Sequence, residues 1–235
     1  MKGTTIALNT RKIMWVLCGI ALLLLLAHIL AMTMTYAYGR SFFYGLVPLF
    51  DFALEKNAPT YFSSFLLLLN GALLFVLWKS TTSAARPERI WLVLAIVFCF
   101  LSLDEFAGLH ELMIKPIRDL SGASGAFFFA WIIPYGIAVL VLAMWVIPAI
   151  WKLGRNFFLL FTTAAFFYVG GAIGIEMLEG IYFEYAGVAD RNYRMISSTQ
   201  EVMEVVGLLI LVHTLLALLI DRQGGFSVIV SGEDT

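Results

Sequence analysis

The sequence predicts an all-α polytopic membrane protein, a six-helix transmembrane bundle, and three observations predict it. Hydrophobic residues make up 61% of the 235-residue chain and charged residues 13%, about half the charged share of a soluble domain. Six apolar stretches are each long enough to cross a hydrocarbon core, which takes about 20 helical residues. The links between them are mostly short, so neighbouring spans run antiparallel and pack as one domain.

The spans are expected near 13–34, 60–79, 88–112, 127–151, 156–185 and 198–221. Span one follows Lys2, Arg11 and Lys12 as a secretory signal would, but the run from Ile13 to Met34 exceeds the roughly 7 to 15 apolar residues of a signal, so it is read as a retained helix. The segment "YGRSFFYGLVPLFDFALEKNAPT" between spans one and two is rich in aromatics, which suits a piece lying along the headgroups and capping the bundle. Span five contains "VGGAIGIE", where Gly170, Gly171 and Gly174 form a small-residue stripe that lets another helix approach closely. Residues 223–235 read as a short cytoplasmic tail, expected to be mobile.

Loop charge sets the orientation. With a cytoplasmic N-terminus the inner set is Lys2, Arg11, Lys12, Lys79, Arg86, Arg89, Lys152, Arg155 and Arg222, against Arg40, Lys56, Lys115, Arg118, Arg191 and Arg194 outside. The bias places both termini in the cytoplasm. A net charge of -1 without a basic block excludes a nucleic-acid partner. Cys18 and Cys99 lie in apolar runs without CxxC spacing, which excludes a thiolate metal site or disulfide framework and reads as two buried thiols. No GxSxG elbow supports a serine hydrolase.

Acids gather on three spans at one end. Span three, running outward, ends in "SLDEFAGLHE" with Asp104, Glu105, His110 and Glu111; span five ends in "GIEMLEG" with Glu176 and Glu179; span six, running inward, begins "TQEVMEVVG" with Glu201 and Glu204. An ExxE pair lies on one helix face about 60° apart, and Asp104 and Glu111 fall within about 20° of each other. One straight helix cannot point all four groups of span three at one centre, and Gly108 offers a place to distort it.

An ionised carboxylate in mid-membrane costs about 2.5 to 3.5 kcal/mol, and adjacent carboxylates also repel. A divalent cation offsets both terms. Oxygen-rich coordination suits iron or manganese, with calcium, magnesium or zinc as alternatives. Di-metal bundles use ExxH repeats where this chain has ExxE, so a di-iron site is analogy, and the ExxE pairs are also similar to acidic motifs of membrane iron permeases. His28, at a depth close to that of Asp104, is a candidate nitrogen ligand; the competing reading is a hydrogen-bonded packing histidine. His213 lies too deep and on the wrong face. Ser198-x-x-Glu201 also fits a helix-capping box, and Glu184 and Asp190 read as surface acids near helix ends. The many Phe, Met and Trp side chains read as packing or lipid-facing groups.

The stretches "LFDFALEKNAPTYFSSFLLLL" and "FLSLDEFAGLHE", followed by "EVMEVVG", resemble a group of uncharacterised bacterial multi-pass membrane proteins over residues 50–113 and 176–213. The resemblance implies a bacterial, multi-span origin and brings no catalytic residue. Three functional readings remain open. The first is a membrane metalloprotein with a carboxylate-rich, mononuclear or dinuclear site near the outer face, doing redox or hydrolytic work in a bacterial inner membrane. The others are a divalent-cation or proton transporter, and an accessory subunit or homo-oligomer whose acids pair with a membrane partner.

Overall fold

The computed structural model describes residues 4–7, 9–81, 89–188, 190–223 and 227–230. Lys2, Arg86 and the ends of the tail, all used in the orientation and tail readings, lie outside them, as does residue 88, where span three was expected to begin. The chain order is β1 (Thr4–Ala7), α1 (Thr10–Tyr38), a 3-10 turn (Phe43–Gly45), α2 (Leu46–Phe50), α3 (Ala58–Thr81), α4 (Arg89–Ala107) and α5 (Leu109–Ser121). Then come a second 3-10 turn (Gly125–Phe127), α6 (Ile132–Trp151), α7 (Arg155–Val169), a π-helical turn (Gly170–Ile175), α8 (Glu176–Ala186), α9 (Arg191–Gln223) and β2 (Ser227–Val230). Six helical stretches are long and apolar enough to cross a membrane, with α7, the π turn and α8 acting as one. The protein is a multi-pass membrane protein. Six crossings return both termini to one end of the bundle, the terminal end.

Burial divides the spans into two kinds. α3 and α9 are the most enclosed, while α1 and α6 are nearly bare, with Leu23, Leu26, Leu140, Val141 and Met144 exposed toward lipid. α9 presents Leu208, Val212, Leu215 and Leu219, all buried, at spacings of three and four that draw one stripe along a helix. Leu66, Leu74 and Leu77 of α3 and Trp91 of α4 belong to the same core. α3 and α4 are also clasped by reciprocal bonds: Ser64 Oγ donates to the Ser102 carbonyl and Ser102 Oγ to the Ser64 carbonyl, each at 2.8 Å. Cys18 and Cys99 are exposed on the bundle surface rather than buried.

Three boundaries and the tail differ from expectation. The third span stops at Ala107, because Gly108 takes a left-handed conformation with φ 64° and restarts the chain as α5. α6 begins at Ile132, five residues after the expected 127. α9 begins at Arg191, where Asp190 accepts the Tyr193 N–H at 2.9 Å, so the helix extends a polar turn or two beyond the apolar run that ends the hydropathy signal. The tail is not free either: Ser227–Val230 pairs antiparallel with Thr4–Ala7, Thr4 opposite Val230, as suits β-branched segments. That two-stranded ladder is the one departure from an all-helical chain among the described residues.

Candidate functional site

The bundle's far end, opposite the termini, is hollow. Counting about 1.5 Å per helical residue from Arg89 and from Arg222 puts Glu105 and Glu204 about 24 and 27 Å in, at one level. They line a cavity of about 220 Å³ with Glu55, Asp104, His110, Glu111, Glu176, Glu179 and Glu201. The segment between α1 and α3 folds over this end. Asp51 is fully buried beneath it and pairs with Arg194 of α9, while Asn57 donates to the Asp51 carbonyl at 2.7 Å and accepts from Thr60 N–H at the start of α3. This fixes the stretch that carries Glu55.

The break at Gly108 builds the mouth. Asp104 accepts the His110 N–H at 2.7 Å and the Tyr135 hydroxyl at 2.9 Å, and lies 3.3 Å from His110 Nδ1. It thereby caps α5 and joins α4 to α6. A side chain at Gly108 would meet Glu55 Oε2 at 3.1 Å and Glu111 Oε2 at 3.2 Å, so two carboxylates flank a position that also needs a positive φ. His110 Nε2 faces Glu55 Oε1 at 3.7 Å. Burial alone would lower the His110 pKa, but the hydrogen bond and charge of Asp104, with Glu176 and Glu55, raise it to about 9. Burial and the neighbouring Glu111 charge push Glu55 up.

Deeper in, donors that read as packing groups hold the acids. Trp131 Nε1 donates to Glu176 Oε1 at 2.7 Å. The Gln200 amide bridges Glu176 Oε2 at 3.1 Å and Glu204 Oε1 at 3.2 Å. The π turn precedes Glu176 directly and re-aims the helix below it, a common device at functional sites. Close approach makes this geometry: a side chain at Gly171 would stand 3.0 Å from the Gln200 carbonyl, and one at Gly207 only 2.5 Å from Tyr168 N. Gly174 faces open space and Gly170 meets only Met203. Of the glycine stripe, Gly171 does the packing, and its counterpart is Gly207.

Glu105 and Glu201 stand apart from the rest. Both line the cavity and are half-buried, and among the described residues neither has a hydrogen-bond partner. Glu201 lies within electrostatic reach of Glu105, Glu55, Glu179 and Glu176. No Lys or Arg among the described residues lines the cavity: Lys115 pairs with Asp119, Arg194 with Asp51, Arg118 stacks on Phe128 and Arg191 on Tyr36. As arranged, no three His, Cys, Asp or Glu side chains among the described residues stand where they could jointly hold a metal ion.

A family model for a domain of unknown function, DUF8692, matches residues 16–219. The chain belongs to the DUF8692 family. No curated protein and no solved structure matches it. The DUF8692 match runs from α1 to the last turns of α9, so it takes in every wall of the cavity.

In this DUF8692 chain the residues singled out from sequence meet in one place, with one exception. Asp104, Glu105, His110, Glu111, Glu176, Glu179, Glu201 and Glu204 all line the cavity. His28 does not. Its Nδ1 accepts the Phe52 N–H at 3.1 Å, its Nε2 lies 2.9 Å from Ser198 Oγ, and its ring stacks on Phe52. Both nitrogens are engaged in tying α1 to the far-end segment and α9, so the ligand assignment is corrected to a packing histidine. The capping-box reading of Glu201 falls too, since Ser198 lies inside α9 and donates to the Arg194 carbonyl. Glu184 accepts the Gly125 N–H and Asp190 caps α9, both outside the cavity. Glu55, Trp131, Tyr135 and Gln200 were missed from sequence; the only signal for Glu55 was its place in an aromatic-rich segment.

Proposed function

We propose that the protein binds a divalent cation in the far-end cavity, through Glu105, Glu176, Glu201 and Glu204, with iron or manganese favoured. The observation that carries this reading is the pair Glu105 and Glu201, half-buried carboxylates facing the cavity with no hydrogen-bond donor and no Lys or Arg to meet them among the described residues, His110 being the cationic group within electrostatic reach of Glu105. Left ionised and alone, each is costly in a membrane helix, and a bound cation removes that cost. About 220 Å³ has room for several waters at roughly 30 Å³ each. A partly hydrated ion held by one or two carboxylates at a time, in the manner of hard divalent cations, accounts for carboxylates that surround the space without three converging on one point. Asp104 and His110 then serve as the frame of the mouth, and Gln200 sets the spacing of Glu176 and Glu204.

Supporting the site reading over transport, the terminal half below Glu204 is filled by Leu208, Val212, Leu215 and Leu219 against α3, and no ionisable side chain of α3, α4 or α9 is buried there among the described residues. The cavity is a dead end toward the termini. On the loop-charge bias of the sequence, we infer that those termini lie in the cytoplasm and the mouth opens outside a bacterial inner membrane. Elemental analysis of protein purified without chelator tests the proposal, repeated with Glu176→Gln and Glu204→Gln. Stoichiometric iron or manganese in the wild type, lost in both variants, supports it. A stable, metal-free wild type overturns it and favours an accessory role.

A further inference from the structure

Helix α5 has no buried residue, yet His110, Glu111 and Ile114 on one side of it line the cavity. Its other side is apolar: Leu109, Leu112, Pro116 and Leu120 fall within about 80° of arc, with Leu112 70% and Leu120 90% exposed. What covers that face follows from α4. Nineteen residues rise about 28 Å, close to the roughly 30 Å of a hydrocarbon core, so Gly108 stands at the membrane boundary. The exposed Leu103 and Phe106 of α4 lead directly into Leu109 and Leu112. Lys115, paired with Asp119, stands about 60° round the helix from Leu112, at the edge of the leucine face, as a basic group with its head toward the aqueous side does at an interface, while Arg118 lies on the cavity side over Phe128. Both ends of α5 are left-handed glycines, Gly108 at φ 64° and Gly122 at φ 66°. Its ties to the bundle are few, chiefly His110 to Asp104 and Arg118 over Phe128 at 4.4 Å.

We propose that α5 is an interfacial lid, seated by its leucine face in the bilayer surface, which holds His110 and Glu111 over the cavity mouth. Seating in the bilayer stands on its own geometry; the lid's purpose, control of cation exchange, rests on the cation reading above. Nitroxide labels at Leu112→Cys and Leu120→Cys, in a Cys18→Ser, Cys99→Ser background in nanodiscs, should collide more with oxygen than with a water-soluble nickel chelate. Ser197→Cys, which lines the cavity, should react with a water-soluble maleimide about tenfold faster when Leu112→Glu and Leu120→Glu unseat the helix. Release of bound Mn²⁺ should quicken in the same variant. Labels bathed in water, or coupled between two chains, overturn the seating, the second because another copy covers the face. Unchanged maleimide reactivity overturns the lid. A wild type that takes up no Mn²⁺ defeats the cation reading alone, and the thiol result still decides whether α5 is a lid.

Discussion

The two halves of this bundle solve opposite problems, and α9 runs through both. In the terminal half α3 and α9 meet through leucines, and the buried polar Asn70 and Thr214 are bonded at least once within the fold. In the far half α9, joined by the segment that carries Glu55 and by α4, α5, α6, α7 and α8, surrounds a cavity whose wall carries eight Asp and Glu side chains and no Lys or Arg among the described residues. Packing holds the first together; the acids of the second are tied by a few donors.

Variants that exchange these characters should break the comparison, the largest effects coming where a charge is orphaned. Arg194→Met leaves Asp51 buried without its partner and should cost about 3 to 5 kcal/mol, read as a loss of folded protein in detergent on heating; Asp51→Asn with Arg194→Met should recover much of it. Leu215→Ala in the dry half should cost about 2 to 5 kcal/mol by the same assay. His110 sharpens the contrast through pH. Its folded pKa, near 9, lies above the ordinary 6.5, so its contribution is fully present below about pH 6.5 and lost as pH rises through about 9. At roughly 1.4 kcal/mol per pH unit this amounts to at most about 3 kcal/mol, and the fall in melting temperature across that window should be absent from His110→Gln. Glu201→Gln should act in the opposite sense to Leu215→Ala, raising the stability of chelator-treated protein by about 1 kcal/mol by removing an unpaired carboxylate. At the smallest end, Gly174→Ala should change stability by less than about 0.5 kcal/mol, whereas Gly171→Ala, which meets the Gln200 carbonyl at 3.0 Å, should be clearly destabilising.

What could be seen in the sequence follows the same division. The spans declared themselves because hydropathy measures what lipid requires, and the shared level of Asp104, Glu176 and Glu204 followed from counting residues along helices that start at a common surface. Gly108 was legible as a break because four polar groups could not share one straight face. α9 was drawn seven residues short because "RNYRMIS" is polar, and a helix leaving the hydrocarbon no longer carries an apolar signal. Trp131 and Tyr135 were hidden for the reverse reason: an aromatic residue in a greasy helix looks the same whether it faces lipid or donates to a carboxylate. His28 was misplaced because depth alone, without rotation about the helix axis, cannot say which neighbours a side chain meets. Glu55 and the Asp51–Arg194 pair, 143 residues apart, depend on a fold-back of the segment after α1 that no local pattern encodes.

Glu105 and Glu201 are the residues proposed to face a cation. Titrating Mn²⁺ into the protein in nanodiscs and following the free ion by electron paramagnetic resonance tests this most directly, comparing wild type, Glu105→Gln with Glu201→Gln, and the exposed-pair control Asp119→Asn. Saturable uptake by the wild type and the control, abolished in the double variant, is the expected result. Equal uptake by all three, or none by the wild type, would contradict it.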